Sequence, residues 1–211
     1  MSSKNLFIAF EGIDGSGKST QVRLLSDRLT QEGQKVHTTF EPTNSRIGTM
    51  IRDIFSHKME ADHRTIAGLF VADRLDHLLD NETGMLKMLE DGFTVITDRY
   101  YFSSYAYHGT HMSMGWVIDA NAMSAALLRP DINIYIDVAP EVSMERIRQA
   151  RESIEMYETL ENLKAVRNKY MEAFDKLSAV EKVCMIDGNR DQSEIAEDVL
   201  KCIEEIRSSS E

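Results

Sequence analysis

Gly12-Ile13-Asp14-Gly15-Ser16-Gly17-Lys18-Ser19 fits the pattern G-x-x-x-x-G-K-[ST] without a mismatch. The chemistry open to such a run is holding phosphate. Its glycines let the backbone wrap closely round an anion, with successive N–H groups turned inward. Lys18 can reach β- and γ-phosphates, and the Ser19 hydroxyl can ligate magnesium. Downstream, Asp98-Arg99-Tyr100 ends an apolar run. A carboxylate there can hold a magnesium shell, and the adjacent guanidinium turns a cation toward the charge that spreads over a transferring phosphoryl group. The alternative for Asp98 and Arg99 is a surface ion pair at a strand end.

Other residues carry weaker signals. Phe70 and Arg74 stand i,i+4 on a helical pattern, so one pocket can receive both. A ring to stack on a base and a cation for its carbonyl edge would make a nucleobase site. The alternative is a core aromatic beside a solvated arginine. Phe102-Ser103-Ser104-Tyr105-Ala106-Tyr107-His108-Gly109 is rich in hydroxyls and rings that could bond a substrate and fence a sugar. His108 and His111 have no evident ligand partners and read as surface histidines. Arg146, Arg148 and Arg151 precede a polar stretch without strong periodicity. They read either as part of a mobile flap that brings arginine onto phosphates or as a solvated helix end.

The elements that must position these groups alternate in type. Apolar runs at Leu6–Phe10, Val36–Phe40, Thr94–Thr97, Ile132–Val138 and Val183–Ile186 read as five strands. Helical patterns separate or follow them: Thr20–Leu29, Arg64–Leu79, Trp116–Leu128, a helix opened by Pro140, Asn162–Leu177, and Ser193–Ile206 with Ser193 as N-cap. The order implies an α/β fold of three layers, a five-stranded parallel sheet flanked by helices. The phosphate-binding loop makes it P-loop NTPase-type. The tail Ser208–Glu211 reads as frayed.

With 211 residues the chain is expected to be one domain, and no repeat or linker divides it. A net charge of −11 argues against holding nucleic acid by its backbone. Cys184 and Cys202 lack metal-ligand spacing, and Cys184, in an apolar run, is expected to be a buried thiol rather than a disulfide partner. No signal peptide or membrane-spanning apolar run is visible, so a cytoplasmic location without membrane contact is expected.

In this order, the motifs resemble the thymidylate kinase family over about residues 5 to 206. The resemblance rests on Glu11 to Thr20, Glu41-Pro42, Phe70-Val71-Ala72-Asp73-Arg74, Asp98-Arg99-Tyr100, Phe102-Ser103-Ser104, Ala106-Tyr107-His108-Gly109 and Arg129-Pro130-Asp131. It implies an ATP- and Mg²⁺-dependent kinase that phosphorylates dTMP, with a lid at about 148–158, acting as a homodimer. Gly12, Ile13, Asp14, Gly15, Ser16, Gly17, Lys18, Ser19 and Thr20 would hold the ATP phosphates, and Ser19 and Asp98 the metal. Asp14 would contact the sugar of dTMP, and Glu41-Pro42 would form the substrate-side loop. Phe70 would stack on thymine and Arg74 would bond its carbonyl edge. Arg99 would bridge the two phosphates. Ser103, Ser104 and Tyr107 would line the thymidine pocket, with Tyr107 crowding out a ribose 2′-hydroxyl.

The family places its catalytic arginine either in the P-loop or in the lid, and two departures stand out: no arginine flanks Glu41-Pro42, and Met156 stands before Tyr157 where some members have arginine. Gly15 occupies the place where one branch of the family has a basic residue, which leaves the charge to Arg148 or Arg151. Phe40 precedes Glu41 and Thr43 follows Pro42, where an arginine is frequent; Arg46 and Arg52 are the candidates to substitute. Two rivals remain on the residues alone. A different nucleotide or nucleoside kinase shares the loop and sheet. A nucleotide-dependent switch would carry an Asn-Lys-x-Asp guanine motif, which is absent.

Overall fold

The computed structural model describes residues 5–150 and 156–208. Five strands, β1 (Phe7–Glu11), β2 (Val36–Phe40), β3 (Thr94–Asp98), β4 (Ile132–Asp137) and β5 (Val183–Asp187), form one sheet in the order β2-β3-β1-β4-β5. All four pairings are parallel, with Ala9 opposite Thr97 on one side and Asn133 on the other. A central parallel strand is buried on both faces, so β1 reads as an unbroken apolar run. Its residues alternate between two cores. Phe7 and Ala9 pack with Val95, Tyr135 and Tyr170 on one face, and Ile8 and Phe10 pack with Ile96, Ile134, Leu25 and Val199 on the other.

Ten helices lie among the described residues. They are α1 (Lys18–Gln31), α2 (Arg46–Phe55), α3 (His63–Leu79), α4 (Met85–Glu90), α5 (Tyr101–His108), α6 (Met114–Ala120), α7 (Ala122–Leu127), α8 (Pro140–Ala150), α9 (Leu160–Leu177) and α10 (Gln192–Ser208). Helices α1 and α10 cover one sheet face, and α5 and α9 the other. A third, smaller core of Ile51, Ile54, Ile66 and Phe70 joins α2 to α3.

Several expectations are corrected. The single helix foreseen over Trp116–Leu128 is two, α6 and α7, parted at Asn121, whose side-chain amide donates to Val117 O at 2.8 Å. Ser193 is not a cap: α10 begins one residue earlier, and Glu194 accepts from the N–H of Asp191. Ser208 is helical, and 209–211 lie outside the described residues. Cys184 is half-buried and joined to Cys202 in a disulfide, because α10 packs back over β5 and brings their Cα atoms to 6.6 Å. His108 is buried rather than on the surface; His111 is exposed, with its ring stacked 3.7 Å from that of His63.

Candidate active site

The turn between β1 and α1 ties two of its amides internally, Asp14 N to Tyr107 OH at 3.0 Å and Ser16 N to Ile13 O at 3.2 Å. Gly12 has φ +147°, and a Cβ there would lie 2.8 Å from Ile136 O and from Ser16 Oγ. Gly15 has φ +75°, and a Cβ there would meet Ser143 O at 2.6 Å. No side chain caps α1 at Gly17, so its first N–H groups and positive dipole end face an incoming anion. Lys18 Nζ folds across the loop, donating to Gly12 O at 3.0 Å and Ile13 O at 2.9 Å. Burial, then the charge of Arg99, pushes this ammonium down to about 8 against the pull of Asp98, Asp14 and Glu11. Ser19 Oγ donates to Asp98 Oδ2 at 2.5 Å. Among the described residues no three His, Cys, Asp or Glu side chains converge as a metal cage. A hydroxyl beside one carboxylate on a phosphate cleft is nonetheless the hard-oxygen donor set that Mg²⁺ shares with nucleotide phosphates.

Arg99 follows β3 directly, with φ +74°. A non-glycine residue in that region persists only when its surroundings over-determine it. Here its N–H donates to Phe10 O at 2.9 Å, Nη1 to Gly12 O at 3.2 Å and Ser103 Oγ at 3.0 Å, and Nη2 to Asp14 Oδ1 at 2.5 Å. Tyr107 OH donates to the other Asp14 oxygen at 2.7 Å. Burial would raise the Asp14 pKa, but Arg99, Lys18 and Tyr107 hold it below the usual carboxylate range. Beneath them Glu11 is fully buried, accepting from Ser103 Oγ at 2.6 Å, Tyr170 OH at 3.0 Å and Tyr100 N at 3.0 Å. Burial pushes its pKa up.

Two cavities meet at this point. A cleft of about 1100 Å³ runs along the loop from Asp14 to Val22 and is bounded by Asp98, Arg146, Arg190 and Gln192. A cavity of about 230 Å³ lies between α2, α3 and α5, walled by Phe55, Phe70, Ser104, Tyr107, His108 and Tyr157. Asp14, Phe40 and Arg99 line both. The smaller cavity is largely aromatic, and Phe70 tilts against His108 with ring centroids 5.1 Å apart.

One side of α3 holds the substrate-side loop. Asp73 accepts from Thr43 N at 2.8 Å, Thr43 Oγ1 at 2.6 Å and Ser45 Oγ at 2.9 Å. Arg74 donates through Nε and Nη2 to Glu41 Oε2, at 2.9 and 2.5 Å, and through Nη1 to Ser104 Oγ at 3.1 Å and to Asn121 Oδ1. Arg74 thus stands behind the Ser104 wall, while Phe70 and Pro42 line the cavity directly. Arg52 also lines it, donating to the carbonyls of Pro42 and Thr43, whereas Arg46 is exposed and lines neither cavity. Arg148 is exposed on α8 and lines neither cavity, and Arg151 lies outside the described residues, as do all of 151–155 in the lid foreseen at 148–158. In the loop after β5, Arg190 lines the larger cleft and Gly188 O accepts from Arg146 at 3.1 Å.

Sequence reasoning assigned no function to Phe55, Tyr157, His108, Asp73 or Asn121. The signal for Asp73 was adjacency to Arg74; the others lie too far apart in sequence to be read as one wall.

A central-strand phosphate loop with a strained arginine at the mouth of a second, aromatic cavity defines a P-loop kinase that works between two small molecules. The thymidylate kinase family model matches residues 10–199. The thymidylate kinase of Leptospira borgpetersenii serovar Hardjo-bovis (strain L550) is 33% identical over 199 residues, covering 94% of this chain and 93% of that protein. The probable thymidylate kinase of Staphylothermus marinus is 34% identical over 205 residues, covering 96% and 97%. The thymidylate kinase of Caldicellulosiruptor saccharolyticus is 34% identical over 209 residues, covering 96% and 98%. The chain belongs to the thymidylate kinase family.

Proposed function

We propose that this protein transfers the γ-phosphoryl group of ATP to dTMP, giving ADP and dTDP for dTTP synthesis. The family supplies the reaction. The observation that carries the assignment of sites is the meeting of the two cavities at Asp14 and Arg99. ATP takes the loop cleft, and dTMP the aromatic cavity, with its phosphate toward Arg99.

The attacking oxygen is one of the dTMP phosphate. With a second pKa of about 6 it is already anionic at neutral pH, so no strong general base is needed. Catalysis is positioning plus charge neutralisation. Lys18 and the N–H groups of Gly12 to Thr20 hold the donor phosphates, and Arg99 bridges donor and acceptor. Asp14, itself held by Arg99 and Tyr107, receives the sugar, and Tyr107 fills the place of a ribose 2′-hydroxyl. Phe70 stacks on the base, Ser103 and Ser104 supply its polar contacts with Arg74 bonded to Ser104 from behind the wall, and Glu41-Pro42 with Arg52 flank the acceptor phosphate. Ser19 and Asp98 would hold Mg²⁺, which would supply positive charge against the phosphates. Arg148 or Arg151 adds a cation from the 148–158 lid. The chain acts as one domain in the cytoplasm. No helix among the described residues is long and apolar enough to cross a membrane. Exposed Trp116, Met123 and Leu127 on α6 and α7 support a homodimer, which sedimentation would test.

Coupled ADP release with ATP, Mg²⁺ and a panel of dTMP, dUMP, dCMP, AMP and thymidine tests the assignment. Fast turnover with dTMP, slower with dUMP, is expected. A preference for thymidine or another monophosphate would move the acceptor assignment, and silence across the panel would overturn it.

A further inference from the structure

One polar chain joins two residues without a role so far, Thr39 and His77, to Glu41, Arg74 and Ser104, and runs from an edge strand to the wall of the acceptor cavity. Thr39, on β2, lies 2.6 Å through Oγ1 from Nε2 of His77 on α3. The Nδ1 of His77 lies 3.2 Å from Glu41 Oε1. Glu41 Oε2 takes both Arg74 Nε and Nη2, and Arg74 Nη1 reaches Ser104, which lines the cavity. The Glu41, Arg74 and His77 side chains are almost wholly excluded from solvent.

The chemistry of the partners assigns the imidazole its protons. A carboxylate only accepts, so Nδ1 carries a hydrogen toward Glu41. In the neutral ring Nε2 is then an acceptor, and the Thr39 hydroxyl donates to it. The carboxylate thus sets the hydrogen on Nδ1, and the Thr39 hydroxyl, able to donate or accept, holds the opposite nitrogen and with it the plane of the ring. With Oε1 tied to His77, Oε2 is left to face Arg74. A guanidinium held through two nitrogens on one side leaves Nη1 to Asn121 Oδ1 and to Ser104 Oγ, the latter on the cavity wall. Without the imidazole, Glu41 Oε1 loses that donor and the carboxylate can rotate, shifting its grip on Arg74.

We propose that His77 is a positioning residue for the acceptor nucleobase: through Glu41 it orients Arg74 and Ser104, and so sets affinity for the monophosphate without taking part in phosphoryl transfer. This rests on the assignment of the aromatic cavity to dTMP.

Steady-state kinetics of three variants test it, beside wild-type turnover of dTMP in the same assay. His77→Phe keeps the ring volume and removes both nitrogens; its KM for dTMP should rise about tenfold, with kcat and the KM for ATP within about twofold. His77→Gln can donate to Glu41 and accept from Thr39, and should return the KM for dTMP to within about threefold of wild type. Thr39→Val removes the hydroxyl that holds the far nitrogen of the ring and should raise it by about threefold, which keeps the test available should the phenylalanine variant not fold. An unchanged KM for dTMP in folded His77→Phe and in Thr39→Val would overturn the proposal. So would a fall confined to kcat, an equal loss toward both substrates, or a folded glutamine variant that rescues nothing. Failure of the wild type itself to phosphorylate dTMP would instead sink the assignment on which the proposal rests.

Discussion

Arg99 Nη2 and Asp14 Oδ1 stand 2.5 Å apart where the donor cleft opens into the acceptor cavity. The pair joins the end of β3 to the phosphate loop, 85 residues apart in sequence. It holds a guanidinium with strained backbone at the junction of the two cavities, and favours the ionised form of the carboxylate that balances it.

Arg99→Ala should therefore act on the transition state. Removing a preorganised charge of this kind costs about 3–4 kcal/mol, or a factor of about 10²–10³ in kcat. ATP affinity, carried by the loop amides and Lys18, should change by no more than about threefold. Rapid-quench turnover beside calorimetric ATP titration checks this, and equal losses in both would deny Arg99 its role.

Lys18 predicts a proton count. Its folded pKa, about 8, lies below the ordinary lysine value of 10.5. Between those values the unfolded chain holds a proton that the free folded protein lacks, so this group makes stability rise with pH there. Phosphates entering the loop favour the charged form. ATP binding near pH 8.5 should take up a fraction of a proton, and near pH 7 almost none. Calorimetry in two buffers of different ionisation enthalpy measures the uptake; the same value at both pH values would contradict the prediction.

Gly15 predicts a steric limit. A basic side chain introduced there meets Ser143 O at 2.6 Å and holds φ +75°. Gly15→Arg should destabilise by about 2 kcal/mol or more, from backbone strain and overpacking together. It should also fail to rescue a variant lacking both Arg148 and Arg151. Thermal unfolding and single-turnover rates read the two effects, and a stable, rescued variant would show that the loop can take a cation.

His108 predicts acid sensitivity. Burial, then the charges of Arg74, His111 and His63, lowers its pKa to about 3. The folded protein keeps this ring neutral while the unfolded chain protonates it near 6.5. Its contribution is present above that value and is lost as pH falls toward 3. By pH 5 the loss should be about 2 kcal/mol. Urea unfolding at pH 7 and pH 5 should show that His108→Phe flattens the difference by roughly this amount; an unchanged slope would mean the ring charges without penalty.

Some of this was legible before any fold was known. The phosphate loop, its flanking strand and the helix after it are contiguous, and glycine conformational freedom and apolar periodicity are local properties. The five strands appear at nearly the expected places: β1, β3 and β4, buried almost throughout, are largely apolar runs, whereas the edge strands β2 and β5 are partly exposed and were marked by β-branched and apolar residues. Helix α5 escaped that reading. All of Tyr101–His108 is buried, so no polar face marks its period, and its hydroxyls looked like a binding loop.

Sequence by itself determined that this chain holds nucleotide phosphate and, through the order of its motifs, which family it resembles. Only the tertiary structure decided what each cation faces. Arg74 meets Glu41, Ser104 and Asn121, and Arg99 meets Asp14, across 30 to 85 intervening positions. It also decided that His108 is a cavity wall, that Asp73 holds the 43–45 loop, and that Cys184 meets Cys202. The reason is physical. A hydrogen bond or ion pair across two elements depends on how their layers pack, and the composition of either element alone carries no record of that distance.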